Sequence, residues 1–261
     1  MSETKFAAQL QALRSRVEPL EKLVHALAGQ LPQPLRYHSG KQHYGFRYGK
    51  PDVRHFCLLK AARAVSGLNA AIELAHCGYA QEIGVLIRTV IECTTHIEFV
   101  LSARDAAGSL EPAAAKFVQE FFDDFARNSA ADVKRAQVKQ GTVHKQLGDE
   151  LDITAQESGR DFTKIKAEQL YSNVYRSFSN YVHGKYPETM DLYGGNPGQF
   201  HLRGMSGTPK DAENIEIIDT FVTTVSITLT LMVTRLKLDA LVESDPVLAA
   251  WFRSTQELDA R

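Results

Sequence analysis

The chain of 261 residues carries 30 lysines and arginines against 31 aspartates and glutamates, and 44% of its residues are hydrophobic. These values are typical of a globular protein and exclude a disordered, collagen-like or disulfide-framework chain. The net charge of −1 excludes a protein that coats nucleic acid or anionic membrane by bulk electrostatics. Any binding of this kind therefore requires a local patch.

The cysteines and the apolar runs indicate a cytoplasmic protein. Cys57, Cys77 and Cys93 have apolar neighbours and form no Cys-x-x-Cys pair, which predicts reduced thiols and no zinc site. The N-terminus lacks the apolar stretch of a secretory signal. The longest uncharged run, residues 220–234, is too short for a membrane span of about 20 residues, so we expect no membrane segment.

Residues 1–29 are predicted to form an N-terminal helical arm. Pro19 is expected to kink this helix or to start a second one. Two alternatives stay open, because the arm either packs on its own domain or pairs with a second copy or a protein partner. Its apolar side chains follow one heptad seam, at Phe6, Leu10, Leu13, Val17, Leu20, Val24 and Leu27.

Residues 30–51 are rich in glycine and proline and break every helical period, which predicts a loop. Cations and aromatic rings alternate in this aromatic-basic loop, as they do in proteins that bind single-stranded RNA. The alternative is a loop whose rings fill its own domain while its charges stay solvated. The residues predicted to contact RNA are Arg36, Tyr37, Lys41, Tyr44, Arg47 and Tyr48.

Residues 52–261 are predicted to form an all-α helical bundle. Asp52 is placed to cap a helix that stops at Gly78, and an apolar helix follows over about residues 80–103. Two helices joined at one glycine form an antiparallel hairpin, which is the core unit of a bundle.

The rest of the bundle is predicted to be helical as well. Pro112 opens a phenylalanine-rich helix that is expected to expose Glu120, and an amphipathic stretch covers about residues 133–157. Further helices are predicted over about residues 162–182 and 211–243, and Pro246 opens a short last one.

The helix predicted over residues 211–243 contains an ambiguous run. From Val225 to Val233, apolar residues alternate mostly with serine and threonine, which is the strand period. A helical stripe passes through the same run and charged helix formers flank it. Because no partner strand is evident elsewhere, we predict a helix.

Residues 171–186 contain the side chains best suited to chemistry. Arg176 and His183 are seven residues apart, so on an α-helix they emerge within about 20° of each other. Asn180 falls between them on the same face and Ser179 lies at its flank. The opposite face, which includes Phe178 and Val182, is expected to be buried.

This arrangement has the parts for cleaving RNA without a metal or another cofactor. His183 is able to take or give a proton near neutral pH, and Arg176 is able to neutralise a phosphate. One such pair lacks a second acid or base, so a homodimer that presents two copies would complete the site. The alternative is that His183 only ends a helix and that Arg176 pairs with a carboxylate.

Arg88 and Glu92 form a second candidate cluster. They are four residues apart on an apolar helix, so they share a face and are placed to bond each other. A charge pair of this kind is either a structural clamp or part of a pocket. We expect the clamp, and we also expect Glu92 to approach His183 and orient its imidazole.

The Arg176-x6-His183 spacing resembles the R-x(4–6)-H motif of the HEPN superfamily, all-helical proteins of toxins, abortive-infection systems and RNA-processing enzymes. Over roughly residues 52–242 the chain is also similar to an uncharacterised bacterial helical family. That family shows an Arg-x-x-x-Glu helix and a Ser-x-x-x-His element, matched here by Arg88, Glu92, Ser179 and His183.

The HEPN resemblance implies a homodimeric, metal-independent endoribonuclease, with Arg176 and His183 as its active pair. We therefore expect RNA cleavage or RNA binding in bacterial defence or stress response. The alternative function is that of a non-catalytic regulatory bundle, which binds a protein partner through the N-terminal seam.

Overall fold

The architecture is all-α, as the sequence predicts, with the addition of one small sheet. A computed structural model of the chain describes residues 3–39, 43–103, 109–123, 145, 167–193, 197 and 199–259. This part of the chain contains nine helices and one two-stranded sheet. In chain order the elements are α1 (Glu3–Gln30), β1 (Leu35–Ser39), β2 (His43–Arg47), α2 (Val53–His76), α3 (Ala80–Ser102), α4 (Pro112–Asp123), α5 (Ala167–Val182), α6 (Tyr186–Met190), α7 (Lys210–Leu236), α8 (Asp239–Glu243) and α9 (Pro246–Asp259).

The predicted antiparallel hairpin, α2 and α3, lies at the centre of the bundle. Asp52 caps α2, because its carboxylate accepts hydrogen bonds from the backbone N–H groups of Arg54 and His55. The helix stops at Gly78, whose φ of +76° suits glycine and closes a Schellman motif. A side chain at Gly78 would also collide with the backbone of Met205. The predicted cap and stop are both confirmed.

The helix α1 supplies one side of the same core. It packs against α2, α7 and α9 and runs through Pro19 as a single helix. Of the two alternatives for the arm, the structure shows the one in which it packs on its own chain. Its apolar seam is therefore covered, and the residues buried there are Leu10, Leu13, Val17, Leu20, Leu23 and Leu27.

The segment predicted as a loop contains an antiparallel hairpin, β1–β2, so the prediction of a loop is wrong for residues 35–39 and 43–47. In this hairpin Leu35 pairs with Arg47, and Ser39 pairs with His43. Within the described residues, neither strand packs along a helix. Leu35 and Phe46 are 67% and 55% exposed, so the hairpin stands away from the bundle. Lys41 lies outside the described residues.

The ambiguous serine- and threonine-rich run is helical, as predicted. It belongs to α7, and the predicted helical stripe from Ile218 to Leu236 is buried. Hydroxyl groups such as those of Thr224 and Ser226 donate to the carbonyl four residues earlier, which satisfies them inside the helix. The helix ends earlier than predicted, at Leu236, because Lys237 adopts a left-handed φ of 56°.

One described helix, α7, is long and apolar enough to cross a membrane, with a mean hydropathy of 1.7 over its best window. This is weak evidence for a span, because the core helix of a soluble bundle has the same composition. In this structure 56% of that window is buried inside the bundle. The fold is therefore compatible with a soluble protein.

The helix α4 packs on α2 and α3. The rings of Phe117 and Phe121 pack edge-on against Phe56 of α2. The predicted exposure of Glu120 is wrong, because its side chain is only 15% exposed and lies 3.8 Å from the ammonium of Lys116. The predicted amphipathic stretch 133–157 lies outside the described residues, apart from residue 145.

The cysteines differ in their surroundings. Cys57 and Cys93 are buried, as their apolar neighbours predict, whereas Cys77 is exposed at the C-cap of α2. None of the three forms a disulfide bond. Burial raises the pKa of the Cys93 thiol, so this group stays protonated near neutral pH.

Candidate functional site

The end of α5 places His183 at the surface. The N–H of His183 still donates to the carbonyl of Ser179, which makes His183 the C-cap residue. Gly184 follows with a φ of +54°. The N–H groups of Gly184 and Lys185 donate to carbonyls in the last turn of α5. This is a second Schellman motif, and it fixes where the imidazole leaves the helix.

Arg176 and His183 are both exposed. Seven residues correspond to about 10 Å along the helix axis and a rotation of about 20°, so the two side chains leave α5 on the same side. We call these two residues the exposed pair. The opposite side packs on the bundle, where the ring of Phe178 lies edge-on to Phe221 of α7. Val182 is 50% exposed, so its predicted burial is wrong.

Asn180 does not face the solvent together with the exposed pair. Its side-chain amide donates to Oε1 of Glu188 at 3.0 Å, which ties α5 to α6. Glu188 in turn accepts a hydrogen bond on its backbone oxygen from the amide of Gln81 on α3. The arrangement therefore gives Asn180 a structural role, and the predicted catalytic role lacks a supporting contact.

Ser179 is half-buried at the flank of the same helix. Its carbonyl accepts the N–H of His183, so it supports the helix end through its backbone. Ser177, which follows Arg176, is exposed.

Arg88 and Glu92 bond each other on α3, as their spacing predicts. Nη1 of Arg88 lies 2.5 Å from Oε2 of Glu92, and the Arg88 side chain is 13% exposed. Its second terminal nitrogen donates to the hydroxyl of Tyr175 on α5, and the guanidinium lies 3.5 Å from the centre of that ring. The sequence did not single out Tyr175, because nothing in its spacing relates it to α3.

The pKa of Glu92 is set by opposing effects. Burial raises it, but the hydrogen bond and charge of Arg88, together with the charges of His96 and Lys60, outweigh burial and leave the pKa below its usual value. Glu92 is therefore ionised at neutral pH, as a clamp for Arg88 requires.

The predicted approach of Glu92 to His183 is wrong. The helices α3 and α5 are antiparallel, with Gly84 against the ring of Tyr181 and Arg88 against Tyr175. Glu92 lies one turn beyond Arg88, in the direction of the start of α5. His183 lies at the other end of α5, eight residues or about 12 Å past Tyr175.

The close approach of α3 and α5 depends on Gly84. A Cβ atom at this position would lie 2.5 Å from Cγ of Tyr181, which is shorter than any van der Waals contact. The glycine therefore lets the tyrosine ring pack directly on the α3 backbone. Burial raises the pKa of the Tyr181 hydroxyl, as do the nearby carboxylates of Asp191 and Glu188.

The structure separates the residues predicted to bind RNA in residues 30–51. Arg36 and Arg47 are exposed on the hairpin, although Nη1 of Arg47 donates to the backbone carbonyl of Phe46 at 2.7 Å. Tyr48 is turned towards the bundle, and its ring lies 4.4 Å from that of His55 in α2. Tyr37 and Tyr44 occupy positions in β1 and β2, and their side chains lie outside the described part.

Phe46 is one of the rings that alternate with cations in residues 30–51, and its side chain is 55% exposed on the hairpin. Within the ranges that the structure describes, no group of three or more histidine, cysteine, aspartate and glutamate side chains is placed to hold a metal ion.

Comparison with known proteins identifies the family but not an activity. No curated protein matches the chain, and no solved structure matches it. One family model matches residues 54–200, which covers more than half of the chain and includes α2 to α6. Arg88, Glu92, Tyr175 and the exposed pair all lie within the matched region, and α1, the hairpin and α7 to α9 lie outside it. The chain therefore belongs to DUF5677, a family of unknown function.

Proposed function

We propose that the chain binds and cleaves RNA without a metal, with Arg176 and His183 as the active pair. The observation that carries this proposal is the placement of a guanidinium and an imidazole, both exposed, on the same side of one helix. A phosphate backbone is able to reach both side chains, whereas a buried pair would exclude it.

The proposed reaction uses each residue for one task. The imidazole of His183 takes the proton from a 2′-hydroxyl, whose oxygen then attacks the adjacent phosphorus. Arg176 neutralises the negative charge that develops on the phosphoryl oxygens. The bond from phosphorus to the 5′-oxygen breaks, and the leaving oxygen takes a proton, which gives a 2′,3′-cyclic phosphate and a 5′-hydroxyl.

The second proton transfer requires another acid. In our proposal a second copy of the chain supplies it, with the two exposed pairs facing each other across a two-fold axis. This is the arrangement that the resemblance to HEPN proteins implies. Asn180 is left out of the reaction because its amide is engaged by Glu188.

The experiment that tests this proposal is cleavage of a labelled RNA by the purified chain in excess chelator. We expect cleavage to fall about 10²–10⁴-fold in His183→Ala, which is the usual contribution of a general acid or base. Arg176→Ala should cause a comparable loss because the charge on the phosphoryl oxygens is then unopposed.

Two matched controls separate chemistry from folding. His76→Ala removes another exposed histidine from the last turn of a helix, and Arg253→Ala removes an exposed arginine from α9. Both variants should cleave at the rate of the unmodified chain. Intact RNA with the unmodified chain, or full cleavage by His183→Ala, would contradict the proposal.

The alternative function, a regulatory bundle that binds a partner through the seam of α1, has less support. That seam is buried against α2 and α7, and Leu20 and Leu23 are fully inaccessible to solvent. A protein partner would therefore have to use another surface of the chain.

A further inference from the structure

The described side chains of the β1–β2 hairpin differ between its two faces. Arg36 and Phe46 are direct cross-strand partners, and so are Leu35 and Arg47. Because consecutive strand residues point to opposite sides, the first pair projects from one face and the second pair from the other.

The described ring of the hairpin, that of Phe46, lies on one of these faces. Among the side chains that the structure describes, the face of Arg36 and Phe46 carries one exposed aromatic ring and one exposed arginine. We call it the aromatic face. Among the described side chains, the opposite face carries Leu35 and Arg47.

The charge around the hairpin is strongly positive. Residues 36–54 contain five lysines and arginines, and Asp52 is the one carboxylate among them. That carboxylate is engaged by the backbone N–H groups of Arg54 and His55. The whole chain has a net charge of −1, so the rest of it is net acidic and the cations are concentrated here.

We propose that the aromatic face of the hairpin binds single-stranded RNA, with Phe46 stacking on a base and Arg36 contacting a phosphate. Phe46 is 55% exposed, which leaves its ring accessible, and Arg36 is exposed directly across from it. Cations beside exposed rings are what single-strand binding uses, since every base has a face to stack. This inference takes its substrate class from the proposed function and adds the surface that holds the strand.

The hairpin provides its own matched controls for an anisotropy measurement with a labelled single-stranded RNA of about 20 nucleotides. Phe46→Ala should weaken binding about 5- to 150-fold, which corresponds to the loss of one stacked base at about 1–3 kcal/mol. Leu35→Ala removes an apolar side chain of equal or greater exposure from the opposite face, and its affinity should stay within twofold of the original.

The cations allow a second comparison. Arg36→Ala should lower the affinity and reduce the slope of log K against log salt by about 0.7, the value for one phosphate of a single strand. Arg47→Ala, the same change on the other face, should leave the slope nearly unchanged. An RNA duplex of the same sequence should compete poorly because its bases are already stacked inside the helix.

Each result of this experiment supports or overturns the inference. Equal losses in Phe46→Ala and Leu35→Ala, or no binding by the unmodified chain, would overturn it. A change of molecular mass in Phe46→Ala, measured by light scattering, would overturn it in favour of a second copy of the chain as the partner. Unchanged thermal unfolding of the variants is expected, since none of the four side chains belongs to the core.

The inference and the proposed function fail in different measurements. RNA that binds through Phe46 but is not cleaved contradicts the proposed reaction and leaves the hairpin surface intact. RNA that is cleaved with dependence on His183, while Phe46→Ala binds normally, contradicts the hairpin surface and leaves the reaction intact.

Discussion

At the scale of single residues, the ends of helices determine which side chains reach the solvent. His183 is exposed because a Schellman motif stops α5 at that residue. Asn180, only three residues earlier, is taken up by Glu188 of α6. Two polar side chains on one predicted helical face thus have different surroundings, which helical geometry alone does not reveal.

Substitution of Asp52 tests how much the cap of one helix contributes to the stability of the fold. Replacement by alanine should lower the free energy of unfolding by about 1 kcal/mol at pH 7, because two N–H groups of α2 lose their acceptor. Burial opposes ionisation of this carboxyl, but hydrogen bonds from the side chain and backbone of His55 lower its pKa below the ordinary value of 3.8.

The lowered pKa determines the pH dependence of this contribution. A carboxyl whose pKa is lower in the folded state stabilises the fold above the unfolded pKa and loses that effect as the pH falls through the folded value. In urea unfolding, the free energy of unfolding of Asp52→Ala should therefore differ less from that of the original chain at pH 3 than at pH 7. Asp52→Asn keeps a cap without a charge, so its stability relative to the alanine variant should not vary with pH in this way. If the free energies of unfolding of the original chain and Asp52→Ala differ by the same amount at pH 3 and pH 7, the lowered pKa of Asp52 is contradicted.

At the scale of elements, the pairing of α3 with α5 depends on one polar contact and one glycine. Arg88 binds the Tyr175 hydroxyl and lies over its ring, and Gly84 admits the ring of Tyr181. Tyr175→Phe should lower the free energy of unfolding by about 1–2 kcal/mol, since it removes a hydrogen bond to a charged donor that is largely buried.

A double-mutant cycle checks that this loss comes from Arg88. In an Arg88→Ala background, Tyr175→Phe should cost less than about 0.5 kcal/mol because the shared contact is already gone. Tyr186→Phe serves as the matched control, since its side chain is highly exposed and its hydroxyl should contribute almost nothing. Additive losses in the cycle would show that the two residues act independently.

The elements also differ in how well their sequence predicts them. Helices α2, α3 and α7 have caps, stops or long apolar stripes, and these local signals were sufficient. The β1–β2 hairpin is not evident from the sequence because each strand has only five residues, and the glycines and prolines in and around the strands favour turns. The Arg88–Tyr175 contact and the Asn180–Glu188 contact each join two helices, so no spacing within one helix could predict them.

At the scale of the whole molecule, the hydrophobic core includes residues from outside the region that the family model matches. The matched residues 54–200 include α2 and α3, yet these helices bury their apolar faces against α1 and α7, which lie outside the match. The apolar seam of α1 belongs to the same cluster of buried residues as Phe56 and Val225. The bundle should therefore unfold as one cooperative unit, with α1 included.

Leu20→Ala tests this expectation. Leu20 is fully buried on α1, and truncation of such a side chain usually costs about 2–5 kcal/mol through lost burial and a residual cavity. In denaturant unfolding followed by circular dichroism, we expect one transition whose midpoint moves to lower denaturant concentration. Val85→Ala, at a side chain that is 39% exposed on α3, should move the midpoint far less. A separate early transition, with the main midpoint unchanged, would mean that α1 unfolds on its own and that the rest of the bundle is stable without it.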